Sequence, residues 1–103
     1  MTQHTPGPWH YSGVSSLPRV RLGPDKDKTL GLLIADCQNC YLPEGQANAN
    51  ARLIAAAPDL LEMAEALRED IISTMKRTDD EGLKVGLSAW LALLTARIAK
   101  ATQ

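Results

Sequence analysis

The stretch Ala47-Asn48-Ala49-Asn50-Ala51-Arg52-Leu53-Ile54-Ala55-Ala56-Ala57-Pro58-Asp59-Leu60-Leu61 constrains this chain more than any other. Alanine has the best helix propensity, whereas proline is tolerated in a helix only in its first turn. The run therefore predicts a small-faced helix that ends just before a second helix starting at Pro58. Segments before this joint read as strand and loop, and segments after it read as helix. The signal is architectural and carries no chemistry of its own.

Ahead of the joint, Thr5-Pro6-Gly7-Pro8 holds the backbone extended, and Trp9 and Tyr11 alternate about His10. This predicts a short strand with its aromatic face turned inward. After a Ser- and Gly-containing loop over 12–17, Arg19-Val20-Arg21-Leu22 alternates polar with apolar, which places Val20 and Leu22 on one face and both arginines on the other. Gly23-Pro24-Asp25-Lys26-Asp27-Lys28 is a turn by composition, and Thr29 to Asp36 is a nearly continuous apolar return strand. A sheet so small needs a helix packed on it.

Past the loop over 37–46, Ala47, Ala51 and Ile54 share one side of the first helix with Leu53 beside them, and Asn48 and Arg52 lie four apart on another side. Beyond Pro58, Leu60, Ala64, Leu67, Ile71 and Met75 follow helical steps opposite Glu62, Glu65 and Glu69. Thr78-Asp79-Asp80-Glu81 matches a capping box, with Thr78 as N-cap of a third helix. That helix places Leu83, Leu87, Trp90, Leu91, Leu94 and Ile98 along a broad apolar face and carries no charge between Lys84 and Arg97. Ser88, Ala92 and Ala96 add a ridge of small side chains. A helix with so few charges needs cover on more than one side, from this chain or from a second copy. Trp90 belongs to a core or an interface.

The expected fold is α+β: a small antiparallel β-sheet of about three strands, then a short alanine-rich helix and a helical hairpin. At 103 residues one domain is expected, with a strand region over 1–36, a loop over 37–46 and a helical region over 47–101. Only 4% of residues are aromatic and none is Phe, so Leu, Ile, Val and Ala must build the core. A net charge of −1 gives no overall pull toward nucleic acid or anionic lipid. The uncharged apolar run Val85 to Ala96 falls short of the roughly 18 residues that span a bilayer, so a soluble, intracellular protein without a membrane partner is expected. Two cysteines make no disulfide framework, which agrees with a reducing compartment.

Chemistry is sparse. Cys37-Gln38-Asn39-Cys40 has a meaningful spacing, but a thioredoxin-like site needs it at a helix start, and Tyr41-Leu42-Pro43 follows instead. A zinc site would have to recruit His4 and His10 from the first strand, or the same pair from another subunit, to complete four ligands. The plain alternative is two ordinary thiols in a loop. Arg19 and Arg21, with Lys26 and Lys28 nearby, make a local basic edge, and Asn48 with Arg52 could add donors for phosphate. The same charges could simply keep a sheet edge soluble. No glycine-rich phosphate loop is present, the serines lack a strand-turn-helix context, and Asp79-Asp80-Glu81 is better explained as a helix start. An enzyme is not expected, and no cofactor is implied.

His4-Thr5-Pro6-Gly7-Pro8-Trp9, together with Asn50 to Leu61, resembles a widespread group of small proteins of tailed bacteriophages and prophages that usually read HTPGPW, then a few strands, then NARLIAAAPELLEAL. Met63-Ala64 departs from the usual small pair, and the Cys37 to Cys40 loop lies outside the pattern. The resemblance implies a phage accessory protein, generally of unassigned function, working in the host bacterial cytoplasm. The layout is also similar to phage anti-defence proteins that sequester cyclic-nucleotide immune signals as oligomers. The expectation is a non-enzymatic binding protein that forms a homo-oligomer through its third helix and takes a small anionic signal on Arg19, Arg21, Asn48 and Arg52. Inhibition of a host protein is the alternative, and a zinc or redox protein using Cys37 and Cys40 a further one.

Overall fold

The computed structural model describes residues 4–13, 17–24, 31–38, 42–43 and 45–102. Strands β1 (Trp9–Ser12), β2 (Arg19–Leu22) and β3 (Leu33–Asp36) are followed by helices α1 (Gln46–Ala55), α2 (Ala57–Arg77) and α3 (Glu81–Thr102). The strands form one antiparallel sheet in the order β1-β2-β3. The fold is therefore the α+β arrangement expected. The chain divides into two compact units, Pro6–Asp59 and a second that contains Leu60–Gln103.

In the first unit, β1 pairs Trp9 with Leu22 and Tyr11 with Val20, so Tyr11 and Val20 are neighbours on one face of the sheet. Val20, Ala51 and Ala55 form the buried centre, with Trp9, Tyr11, Ile34, Ala35, Cys37 and Ile54 packed around it. Trp9 and Tyr11 pack half-buried on the Val20 side, as their alternation predicted, but the fully buried residues of β1 are His10 and Ser12 on its other face. The alanines do what small side chains allow, bringing a helix backbone close to a sheet.

Register between β2 and β3 shifts: Val20 faces Ala35 while Arg21 faces Leu33. Ile34 is the extra residue of this bulge. Without it, strict alternation would send Ile34 and Ala35 to opposite faces, yet both pack on the Val20 cluster. The chain enters β3 through Gly31, whose φ of 105° is open to glycine and where a side chain would run into the Leu22 carbonyl. The Leu22 N–H then donates to the Leu32 carbonyl at 2.9 Å. The expected return strand began at Thr29, and 29–30 lie outside the described residues.

Helix α1 begins after Gly45, at φ 82°, and ends with Ala56 as its C-cap. Pro58 then occupies the first turn of α2, which starts at Ala57, one residue before the start placed at Pro58 from sequence. Leu53, expected beside the buried side, is 65% exposed, because Ala51, Ala55 and half-buried Ile54 already fill the face toward the sheet.

In the second unit, α2 buries Ile71, while Leu60 and Leu67 of its expected apolar face are exposed. Helix α3 follows after Thr78-Asp79-Asp80. Asp80, not Thr78, caps it: Asp80 Oδ1 accepts from the Leu83 N–H at 3.1 Å, and Thr78 Oγ1 accepts from the Asp80 N–H at 3.2 Å. The carboxylate two residues on reaches the third N–H of the helix and displaces the threonine from that role. Along α3, Leu87, Leu91 and Leu94 are half-buried and Ile98 is buried. Leu83 and Trp90, expected on the same face, are 44% and 63% exposed. By length and composition α3 could cross a membrane, with a mean hydropathy of 1.3.

Candidate functional site: a groove between strand β1 and the α1–α2 joint

A groove of about 470 Å³ opens in the first unit, lined by Trp9, His10, Tyr11, Arg52, Ala55, Ala56 and Asp59. Strand β1 supplies one wall. The last turn of α1 and the first turn of α2 supply the other, and Ala55 and Ala56 leave the space between them because their side chains end at Cβ. The joint that organises the fold is thus also the lining of its groove.

Tyr11 holds the helix side of the groove together. Its hydroxyl donates to Asn48 Oδ1 at 2.7 Å, and the Arg52 guanidinium lies over its ring, 4.6 Å from the centroid. Asn48 and Arg52 stand one helical turn apart, so a single aromatic ring meets both. With its oxygen engaged, the Asn48 side chain keeps its NH2 for donation. Arg52 sits in the last turn of α1, where a cation suits the helix dipole. Its guanidinium makes no hydrogen bond or ion pair among the described residues. Asp59 lies in the first turn of α2, where a carboxylate suits the opposite dipole end. Trp9 Nε1 is buried with no hydrogen-bond partner among the described residues.

The four sequence candidates divide between two places. Asn48 and Arg52 meet at Tyr11, whereas alternation along β2 puts Arg19 and Arg21 on the sheet face away from Val20 and α1. Arg19 Nε lies 3.8 Å from Asp36 Oδ2, and Arg21 donates through Nη1 to the Gly31 carbonyl at 3.1 Å. Arg19 Nε and Arg21 Nε are buried without a hydrogen-bond partner among the described residues. Lys26 and Lys28 lie outside the described residues. Trp9, Tyr11 and Asp59 were not among the sequence candidates. The aromatic alternation found the first two, but the same pattern serves a core wall and a groove wall.

His10 and Ser12 are each 3% exposed on the face away from α1. His10 Nδ1 lies 2.9 Å from the Gly23 carbonyl, which can only accept, so Nδ1 carries the hydrogen. Cys37 packs instead against the Val20 cluster on the α1 side. The pairing of Cys37 with His10 that a zinc site would require therefore has the sheet between its members, and Cys40 lies outside the described residues. Burial, reinforced by neighbouring Asp36, pushes the Cys37 thiol above its ordinary value, so its thiolate is disfavoured. No group of three or more His, Cys, Asp or Glu residues arranged to hold a metal occurs among the described residues.

A family model described as Salmonella phage P22 protein Y8K6 matches residues 1–103. The chain belongs to this phage protein family. No curated protein and no solved structure matches it significantly. The two motifs of the phage resemblance meet in the first unit, where Gly7 lies against Pro58 and Trp9 shares the groove with Arg52 and Asp59.

Proposed function

We propose that this phage protein is a non-enzymatic binding protein whose groove takes a small anionic ligand of the nucleotide class. On this reading it withholds a host immune signal in the bacterial cytoplasm and acts as an oligomer. The observation that carries it is the Arg52 guanidinium, without hydrogen bond or ion pair among the described residues, stacked on Tyr11 beside a groove of about 470 Å³. That volume lies within the ~300–1,000 Å³ range of small-molecule sites. A planar base suits an aromatic wall of Trp9 and Tyr11, a phosphate suits the forked donors of Arg52, and Asp59 can accept from an exocyclic amine. The Asn48 NH2 adds a donor one turn from Arg52. Arg19 and Arg21 lie on the opposite face of the sheet from this groove and form no part of its lining.

Calorimetry with cyclic mono-, di- and trinucleotides tests the reading. Binding is expected for at least one class, weakening as salt rises and lost in Arg52→Ala. No heat for any of them overturns it. The second reading, a protein that inhibits a host protein, is favoured by exposed Leu60, Met63 and Leu67 on α2 and requires salt-tolerant binding. A zinc or redox role for Cys37 and Cys40 requires metal in the purified protein or a changed behaviour of the double Cys→Ser variant.

A further inference from the structure

One face of α3 is exposed among the described residues. Val85, Gly86, Ala89, Trp90, Leu93 and Ala96 follow helical steps of one, three and four, and all six are exposed, with Val85 at 71%, Trp90 at 63% and Leu93 at 49%. Gly86 is the most telling of them. A glycine in mid-helix costs about 1 kcal/mol against alanine, and here a side chain at that position would meet nothing within 4 Å. No contact among the described residues requires the gap it leaves. The charges around this face are also divided, with Asp79, Asp80 and Glu81 at its start, Arg97 and Lys100 at its end, and none between Lys84 and Arg97.

We infer that α3 packs antiparallel against α3 of a second copy, about a two-fold axis passing between Ala89 and Trp90. This register sets residues at equal distances from the axis opposite one another. Leu93 of each copy then fills the gap at Gly86 of the other, Trp90 lies over Ala89, and Leu83 meets Ala96. Lys100, about 16 Å from the centre at 1.5 Å rise per residue, then lies beside the acidic segment Asp79 to Glu81 that leads into α3 of the other copy, at both ends. Large side chains oppose small ones, as ridge-in-groove packing requires, and acidic ends oppose basic ends. A parallel pair would stack Trp90 on Trp90 and like charge on like charge. A two-fold antiparallel pair is also self-complementary, so it closes as a dimer without leaving a second uncovered copy of the face. The inference deepens the self-association in the proposed function by naming its surface and register, and rests on that reading only there.

Sedimentation equilibrium of the full chain measures the mass directly, and a dimer is expected. Trp90→Gln and Leu93→Gln should each weaken it about tenfold or more, as loss of a central apolar anchor does. Register is read by cysteine cross-linking in a Cys37→Ser, Cys40→Ser background with diamide as oxidant. Ala89→Cys should link to itself, and Lys100→Cys should link to Asp79→Cys in a mixture but not to itself. A monomeric wild-type chain, self-linkage of Lys100→Cys, or a monomer that sediments only with phosphatidylglycerol vesicles overturns the inference. A monomer that still gives heat with a nucleotide removes the dimer and leaves the groove reading standing, whereas a dimer without heat does the reverse.

Discussion

Gly7 lies directly against Pro58: a side chain at Gly7 would bring its Cβ to 2.8 Å from the Pro58 Cβ. The contact joins the start of the chain to the helix joint fifty-odd residues later, and it works because one partner lacks a side chain while the other is a rigid ring. A proline ring cannot swing aside as a long side chain would, so added volume must displace backbone. Gly7→Ala is expected to destabilise the protein by about 1–3 kcal/mol. Thermal denaturation checks this, at about 4–8 °C in Tm per kcal/mol for a domain of this size.

The Tyr11 hydroxyl and the Arg52 stack are separable. Tyr11→Phe removes the hydrogen bond to Asn48 and keeps the ring under the guanidinium, so it should cost about 0.5–1.5 kcal/mol while leaving nucleotide binding measurable. A double-mutant cycle of Tyr11→Phe with Asn48→Ala should return a coupling near that size. Additive losses would show that the two side chains do not act on one another.

Helix α3 gives a direct comparison of two cap candidates. Asp80→Ala removes the acceptor for the Leu83 N–H and should lower stability by about 1 kcal/mol. Thr78→Ala removes only a turn bond to Asp80 and should cost less. Urea unfolding of both variants settles the order, and an equal or larger loss for Thr78→Ala would restore the capping box that the sequence suggested.

Cys37 should react slowly. Because burial and then Asp36 raise its pKa, a smaller fraction is thiolate at any pH below it, and the pH–rate profile for alkylation should be displaced upward. Iodoacetamide kinetics on a Cys40→Ser variant, with and without urea, give the folded and unfolded profiles. Asp36→Asn should move the folded profile down only in part, since the charge is the smaller of the two causes.

Local sequence determined most of the elements. The alternation of Trp9 with Tyr11 and of Val20 with Leu22 specified two strands and their inner faces, because a period of two depends only on neighbouring dihedrals. The alanine run and Pro58 specified the helix joint for an equally local reason, the helix preference of alanine and the missing N–H of proline. What the sequence left open was decided by tertiary packing. Ile34 and Ala35 both reach the core only because β3 bulges against β2, and no periodicity announces an irregular pairing. Arg19 and Arg21, grouped with Asn48 and Arg52 from sequence, stand apart from them because alternation along β2 sets them on the opposite face of the sheet. Asn48 and Arg52, four apart on one helix, became part of a groove wall because Tyr11, distant in sequence, folds against them both. Propensity and periodicity act over a few residues and so can be read from the sequence, whereas a groove depends on which distant side chains stop short of one another.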